Sequence, residues 1–308
     1  MSDSTRVVTA TVVVATCDRP AMMQSVVESI LAAAAIPAEL IIVDQSTLAH
    51  PAPWSAEGCE VRYVHSTIRS LSRANNLAAR LAAHEVLVFT HDDVLVGPDW
   101  LEALTDRIDT DRPRTVVTGR VVATDPEVDG GFAPALNIST EPRSYRGRVG
   151  YDVLKPMNFA ICRAWFEEVG GFDERLGPGT IFPGAEDSDF GFRLLEAGST
   201  LEYVPAAVVR HRAWRDGRAY LPLRWQYGVA QGAFYAKHLT RHDLHMLGRM
   251  RDDVRRRAVS FPGRLRRERS RALGDPLFVI GNVVGGARWR RQRRGERRQG
   301  RRDASARS

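Results

Sequence analysis

Over its first two-thirds the chain alternates short apolar runs with stretches of helical spacing. RVVTATVVVA at residues 6–15 has the unbroken β-branched character of a strand buried on both faces. Pro20 then opens AMMQSVVESILAAAA, a helix with proline where a missing N–H costs nothing. ELIIV (39–43), residues 60–64 and residues 85–90 read as further strands; residues 71–83 and 98–108 have helical period. Residues 115–123 form another strand, and residues 125–150, rich in Pro, Gly, Asn and Arg without periodicity, read as a long irregular loop or loose hairpin. MNFAIC follows as a strand and RAWFEEVGG as a helix with a Gly-Gly stop. AEDSDFGFRLLEAG is a helix with acids in its first turn, TLEYVP and AVVRHRAW are strand-like, and residues 221 to about 257 are helical throughout. Strands alternating with helices predict an α/β fold, a mostly parallel Rossmann-like sheet flanked by helices.

In such sheets ligands bind at the carboxyl ends of strands. Polar clusters fall there: Thr16-Cys17-Asp18 with Arg19, Asp44-Gln45-Ser46, and His91-Asp92-Asp93. Adjacent carboxylates at a strand end repel, so a cation belongs beside them, and Mg²⁺-like ions are often held by one or two carboxylates plus substrate phosphates. A solvated Asp-Asp turn is the competing reading. Glu186, Asp187 and Asp189 begin a helix, where acids compensate the helix dipole; the GPGTIFPG lead-in resembles a lid and favours a general base there. His211 follows an apolar strand, as a packed histidine or as the nitrogen ligand of a mixed carboxylate site. Arg69, Arg73, Asn75 and Asn76 at a helix entry are either solvated or contacts for phosphate and sugar.

Charge divides the chain. Residues 241–308 hold 21 Lys+Arg against 7 Asp+Glu, leaving 23 against 30 for residues 1–240, so the net charge of +7 belongs to the tail. Such a tail suits an anionic partner. Cys17, Cys59 and Cys162 show neither CxxC spacing nor even number, which predicts free thiols in a reducing, cytoplasmic setting. The Thr-broken apolar run near the start is read as a first strand and not as a signal peptide, and no run of 18 apolar residues occurs.

Taken in order, VVVATCDRP, LIIVDQST, SLSRANNLAARLAAHEVLVFTHDDVLVGPDWL and NFAICRAWFEEVGGFDERLGPGTIFPGAEDSDFGFRLLEAGSTLEYVPAAVVRH resemble the family 2 glycosyltransferases of GT-A fold, over roughly residues 8–212. The resemblance implies an inverting, nucleotide-sugar-dependent transferase. It implies that Thr16, Asp18, Arg19, Asp44 and Ser46 hold the nucleotide, with Asp44 at the base edge, and that Arg73, Asn75 and Asp92 face the donor. Asp93 and His211 would bind Mn²⁺ or Mg²⁺, with His91 a further candidate ligand. Asp187 would be the catalytic base, and Glu186 would orient the acceptor. One departure stands out: the family's commonest form has a third acid where this chain has His91. A uridine or thymidine diphosphate donor is expected, with rhamnose one candidate sugar and a lipid-linked or polysaccharide acceptor of the cell envelope.

The expected organisation is a transferase domain over residues 1–220, with a nucleotide half to about 123 and an acceptor half from about 124. A helical basic extension follows over 221–289, then a disordered Arg-rich tail over 290–308. GDPLFVIGNVVGGARWRRQRRGERR sets a short apolar run among arginines. It reads either as a segment lying on an anionic membrane surface, at the inner face of the plasma membrane, or as a solvated tail. A nucleic-acid partner is disfavoured because Trp289 is the lone aromatic among those arginines. Rival readings of the body are a catalytically inactive nucleotide-sugar-binding protein, for which His91 speaks, and a sugar-nucleotidyltransferase. The latter would want a Gly-rich, basic loop after the first strand, where ATCDRPAMM stands.

Overall fold

A computed structural model describes residues 6–240 and 243–305. The chain divides into two compact units, the first comprising residues 1–180 and 186–217, the second residues 181–185 and 218–308. In the first unit the predicted strands appear as β1 (Arg6–Thr16), β2 (Ala35–Asp44), β3 (Glu60–His65), β4 (Val86–His91), β5 (Val94–Val96), β6 (Thr115–Pro126), β7 (Arg143–Tyr145), β8 (Asn158–Cys162) and β9 (Thr200–Ala213). Between them run α1 (Pro20–Leu31), α2 (Leu71–Leu81), α3 (Trp100–Thr105), α4 (Arg163–Glu168) and α5 (Glu186–Glu196).

All but β7 lie in the order β3-β2-β1-β4-β8-β6-β9-β5, with β7 paired to β9. Parallel pairing holds over β3-β2-β1-β4 and between β6 and β9, whereas β8 runs antiparallel to both β4 and β6. The expectation of a mostly parallel sheet is thus met in the nucleotide half and becomes mixed beyond β4. β1, β2 and β4 are buried on both faces, as their apolar runs foretell. Apolar cores pack on both sides of the sheet.

One core is unusually aromatic. Phe89 of β4 stacks on Phe159 of β8 at 4.8 Å and on Phe166 of α4 at 5.3 Å, and Phe172 meets Phe190 of α5 at 4.8 Å. This cluster fixes α5, and hence its acidic first turn, against the centre of the sheet. Phe89→Ala is expected to cost about 3–5 kcal/mol, through lost burial and an unfilled cavity. Urea denaturation followed by tryptophan fluorescence measures it.

The second unit is helical: α6 (Tyr220–His238), α7 (Leu244–Arg267), α8 (Arg269–Ala272) and α9 (Gly274–Ser305). The helix expected without interruption from residue 221 to about 257 is therefore broken between α6 and α7. The composition of residues 290–305 predicts disorder, yet they continue α9; residues 306–308 lie outside the described residues. α9 meets α6 at glycines: a Cβ on Gly232 would come within 2.0 Å of the Asn282 carbonyl oxygen, and one on Gly285 within 1.9 Å of that of Val229. The apolar run expected to face a membrane thus spends one face on α6, with Phe278 and Trp289 buried and Ile280 and Val283 left outside. Among the described residues no helix is long and apolar enough to cross a membrane.

Candidate active site

The carboxyl ends of β1, β2 and β4 come together because the strands pair in register, Thr16 opposite Asp44 and Ala15 opposite His91. At the turn after β4, Thr16 Oγ1 donates to Asp92 Oδ2 at 2.6 Å, so the first strand clamps the acidic turn. β5 runs antiparallel to β9 with Val94 opposite His211, which sets His211 Nε2 3.5 Å from Asp93 Oδ2. The same oxygen receives Arg19 Nη1 and Arg215 Nη2, each at 3.2 Å, and Trp214 Nε1 at 3.4 Å. Arg19 Nη2 also lies 2.8 Å from Asp92 Oδ1 as an ion pair, off the line of a hydrogen bond.

Two buried carboxylates side by side cannot both ionise freely, and their environments part them. Burial raises the Asp92 carboxyl to about 7 against the pull of Arg19, and the charge of Asp93 adds to the rise. Burial acts on Asp93 too, but His211, Arg19 and His91 outweigh it and hold that carboxyl well below the usual range. His91 is pushed down to about 4, chiefly by burial, so its imidazole is neutral near pH 7.

A divalent cation needs ligand atoms facing one another. Asp93 and His211 supply such a pair, and neither ring nitrogen of His211 has a hydrogen-bond partner. Two protein ligands suffice for a cation that completes its shell with diphosphate oxygens and water. Among the described residues no group of three or more His, Cys, Asp or Glu side chains could hold a metal. His91, the further candidate ligand, lies near enough for its charge to act on Asp93, and its Nε2 is buried without a partner.

Asp18 stands in the left-handed region at φ 54°, which aspartate tolerates better than most residues. Its N–H donates to Ser46 Oγ at 2.7 Å, and its carboxylate accepts from Thr47 N at 3.1 Å and Arg69 Nη2 at 2.6 Å. Asp44 is not an open acceptor. Fully buried, it receives Ser46 N at 2.9 Å, Tyr63 Oη at 2.6 Å and His50 N at 3.2 Å, so it ties β2 to the loop after it. Arg73 is half-exposed and paired with Glu174 at 3.3 Å. Asn75 is buried with Oδ1 unpartnered, while Asn76 holds the Phe172 backbone.

Of the GPGTIFPG stretch expected as a lid, the first residues, Gly177 to Gly179, are docked on the start of α2. Leu71 N donates to Pro178 O at 3.0 Å and Ser72 Oγ to Leu176 O at 2.7 Å. Gly177 and Gly179 sit at φ 104° and 88°, and a Cβ on Gly179 would meet the Arg69 carbonyl oxygen at 2.5 Å. Ala185, at φ 61°, then turns the chain into α5. Glu186 is buried with Oε2 unpartnered, and burial with the nearby Asp187 charge lifts it to about 8. Asp187 rises to about 6 through burial and the charge of Asp152, with Lys155 opposing. Asp189 serves packing, accepting Arg193 Nε at 2.9 Å. Asp152 and Lys155, whose charges act on Asp187, precede β8, whose Asn158 lies opposite Thr90 of β4.

These raised carboxyls make the unliganded protein acid-preferring. Asp92, Asp187 and Glu186 keep protons in the native state that the unfolded chain loses above about 4. The stability they contribute is present below that pH and is lost as pH rises through about 6 to 8. The melting temperature of unliganded protein is therefore expected to fall between pH 5.5 and 8.5, and Glu186→Gln is expected to flatten the fall in a calorimetric pH series.

Arg215 and Trp214, which complete the Asp93 surroundings, were not anticipated. The signal was available in RHRAWR, where they stand just past His211 on the exit from β9. Tyr63 and His50 are set by β3 and the loop before it, where nothing in the residue pattern points to Asp44.

Among known proteins, the glycosyl transferase family 2 model matches residues 11–170, over half of the chain. A probable N-acetylgalactosaminyltransferase 9 of Caenorhabditis elegans is 28% identical over 182 residues, 53% of this chain and 31% of that protein. The pre-mycofactocin glycosyltransferase of Mycobacterium tuberculosis is 26% identical over 189 residues, 58% of this chain and 38% of that one. The chain thus spans about a third of the length of these curated relatives. Of solved structures, S. aureus TarS 1–349 superposes with a TM-score of 0.53 at 12% identity, covering 95% of this chain and 92% of that one. A mannosyltransferase from Pyrobaculum calidifontis, in complex with GDP-Man and Mn²⁺, gives 0.53 at 16% identity, covering 90% and 86%. At such identities the structures speak for the fold, the GT-A arrangement. With its strand-end acids, its Asp93–His211 pair and the model match over its first half, the chain belongs to glycosyl transferase family 2.

Proposed function

We propose that the protein is an inverting glycosyltransferase that moves a sugar from a UDP- or dTDP-sugar to a hydroxyl group, with rhamnose one candidate sugar. The acceptor is read as a lipid-linked saccharide or polysaccharide of the cell envelope. What carries the reading is that one compact unit holds both the Asp93–His211 pair and a buried carboxylate, Asp187, poised near neutrality.

In this reading Asp187 accepts the proton of the acceptor hydroxyl as its oxygen attacks the anomeric carbon. The bond from that carbon to the diphosphate oxygen breaks, and the nucleoside diphosphate leaves with the electron pair. A single displacement inverts the anomeric centre. Asp93 and His211 would hold the divalent cation, which when bound supplies charge neutralisation to the diphosphate. Arg19 and Arg215, already gathered at Asp93, stand ready to share that charge, and Arg215 Nη1 is buried without a partner. Thr16 fixes Asp92, and Asp18 and Ser46 shape the nucleotide loop. Asp44, at the base edge in this reading, orders that loop through His50 and Tyr63. Glu186, protonated up to about 8, acts as a donor that orients the acceptor. The transferase domain is taken as the first unit, with the helical unit as an extension.

The test is release of UDP or dTDP from candidate donors in the presence of a detergent-solubilised lipid extract, with the product's anomeric configuration read by NMR. Inverted product and loss of release in Asp187→Asn are expected; retained configuration would overturn the single displacement. Because the base must be ionised, kcat/KM is expected to rise with pH through about 6. A flat profile from pH 5 to 7 would remove Asp187 from that role.

A further inference from the structure

The helical unit concentrates positive charge around one buried carboxylate. Asp275, at the start of α9, has Arg264 Nη1 at 3.1 Å from both oxygens, and Arg257 Nη1 at 3.6 Å and Arg224 Nη2 at 3.9 Å from Oδ1. Asp253 takes Arg257 at 3.2 Å and Arg256 at 3.6 Å, and Glu268 takes Arg271 at 3.3 Å. Five guanidiniums therefore share three carboxylates in this network. Buried charge is normally matched, and an unmatched excess is costly.

The excess is visible atom by atom. Arg224 and Arg257 lie against the Phe278 ring, at 4.8 Å and 3.5 Å from its centroid. A ring satisfies the face of a guanidinium but not its in-plane N–H groups. Arg224 Nε and Nη2 and Arg257 Nε are buried with no hydrogen-bond partner. Burial, and then the charge of Arg257, weakens the hold of Arg224 on its proton.

Beside this cluster opens a cavity of about 550 Å³ lined by Tyr220, Ser260, Gly263, Arg264, Glu268 and Arg271. Its wall is bared by α7 itself. Pro262, inside the helix, has no N–H, and Gly263 has no side chain and nothing within 4 Å of where one would begin. The cavity is thus roomy and lined by two arginines, and Arg264 joins it through Asp275 to the buried Arg224 and Arg257.

We propose that this cavity binds a phosphate group, a monoester or diester, with Arg264 and Arg271 as the donors that reach it. Guanidinium forks match phosphate oxygens, and Arg224 and Arg257 supply buried charge behind them. Its carrier is either a free phosphate compound or a lipid headgroup, which the experiment distinguishes. The site lies wholly within the helical unit and does not depend on the transfer reading.

The experiment uses the full chain and two variants. Arg271→Ala removes a surface pair, and Arg264→Gln leaves Asp275 with Arg224 and Arg257, so neither is expected to unfold the unit; circular dichroism melting checks this. Inorganic phosphate is titrated calorimetrically, and flotation is measured with phosphatidylcholine vesicles with and without phosphatidic acid. About tenfold weaker binding of either probe in both folded variants is expected, the size of one lost charge-assisted hydrogen bond. Loss with phosphate alone assigns a free compound, and loss of flotation on phosphatidic acid vesicles assigns a lipid headgroup. Absent binding, or binding equal in wild type and variants, overturns the proposal. UDP titration with Mn²⁺, expected to be unchanged in both variants, reports separately on the donor site.

Discussion

Asp187→Asn is expected to lower kcat by ~10²–10⁴-fold while leaving nucleotide affinity nearly unchanged. The amide keeps the shape of the carboxylate and its place at the start of α5 but cannot take a proton. The hydrogen bonds among Thr16, Asp92, Asp18, Ser46, Asp44 and Arg69 do not involve Asp187, so binding of UDP or dTDP should not sense the change. Removing the charge also relieves the raised carboxyls around it, since the Asp187 charge helps lift Glu186. The variant is therefore expected to melt no lower than wild type near pH 8, which separates lost chemistry from lost fold. Single-turnover donor cleavage and nucleotide titration, run side by side, make the measurement.

Asp93→Asn is expected to abolish the metal-dependent part of nucleotide binding. Asp93 Oδ2 gathers His211, Arg19, Arg215 and Trp214 around one atom. Losing its charge removes one of the two proposed cation ligands and also leaves two guanidiniums poorly matched, since breaking a buried pair costs about 3–5 kcal/mol. A lower melting temperature should accompany the loss. Asp92→Asn is the informative contrast. Its carboxyl, raised to about 7, is already half-protonated at neutral pH and bonded to Thr16, so its amide should perturb both properties far less. Titration of Mn²⁺ with UDP into both variants checks the order; equal losses would contradict the division of labour between the two aspartates.

The nucleotide half was legible because β1, β2 and β4 are buried on both faces and must be apolar along their length, with polar residues appearing only where they end. Elements beyond β4 were harder. β5 has three residues, too few to show a period. β9 looked like two segments because Pro205 interrupts it, yet it is one strand; its register with β6 shifts between Gly119 and Arg120, which absorbs the proline. AAAA after α1 read as helix, although Ala35 already pairs with Arg6 in the sheet. In the site, the acids were legible by type and place. Their partners were not, because Arg215 reaches Asp93 from 122 positions away and Tyr63 reaches Asp44 from the next strand. The Arg-rich end of the chain reads as disorder because composition does not show that it continues a helix whose earlier part seats on α6 at Gly281 and Gly285.

Calorimetric titration of UDP, dTDP and GDP into the full chain, each with and without Mn²⁺, tests the central claim most directly. The account predicts that UDP or dTDP binds, that Mn²⁺ strengthens the binding, and that Asp93→Asn erases that gain. If none of the three nucleotides binds with or without the cation, the donor site built on Asp93 and His211 is contradicted, and the transferase reading falls with it.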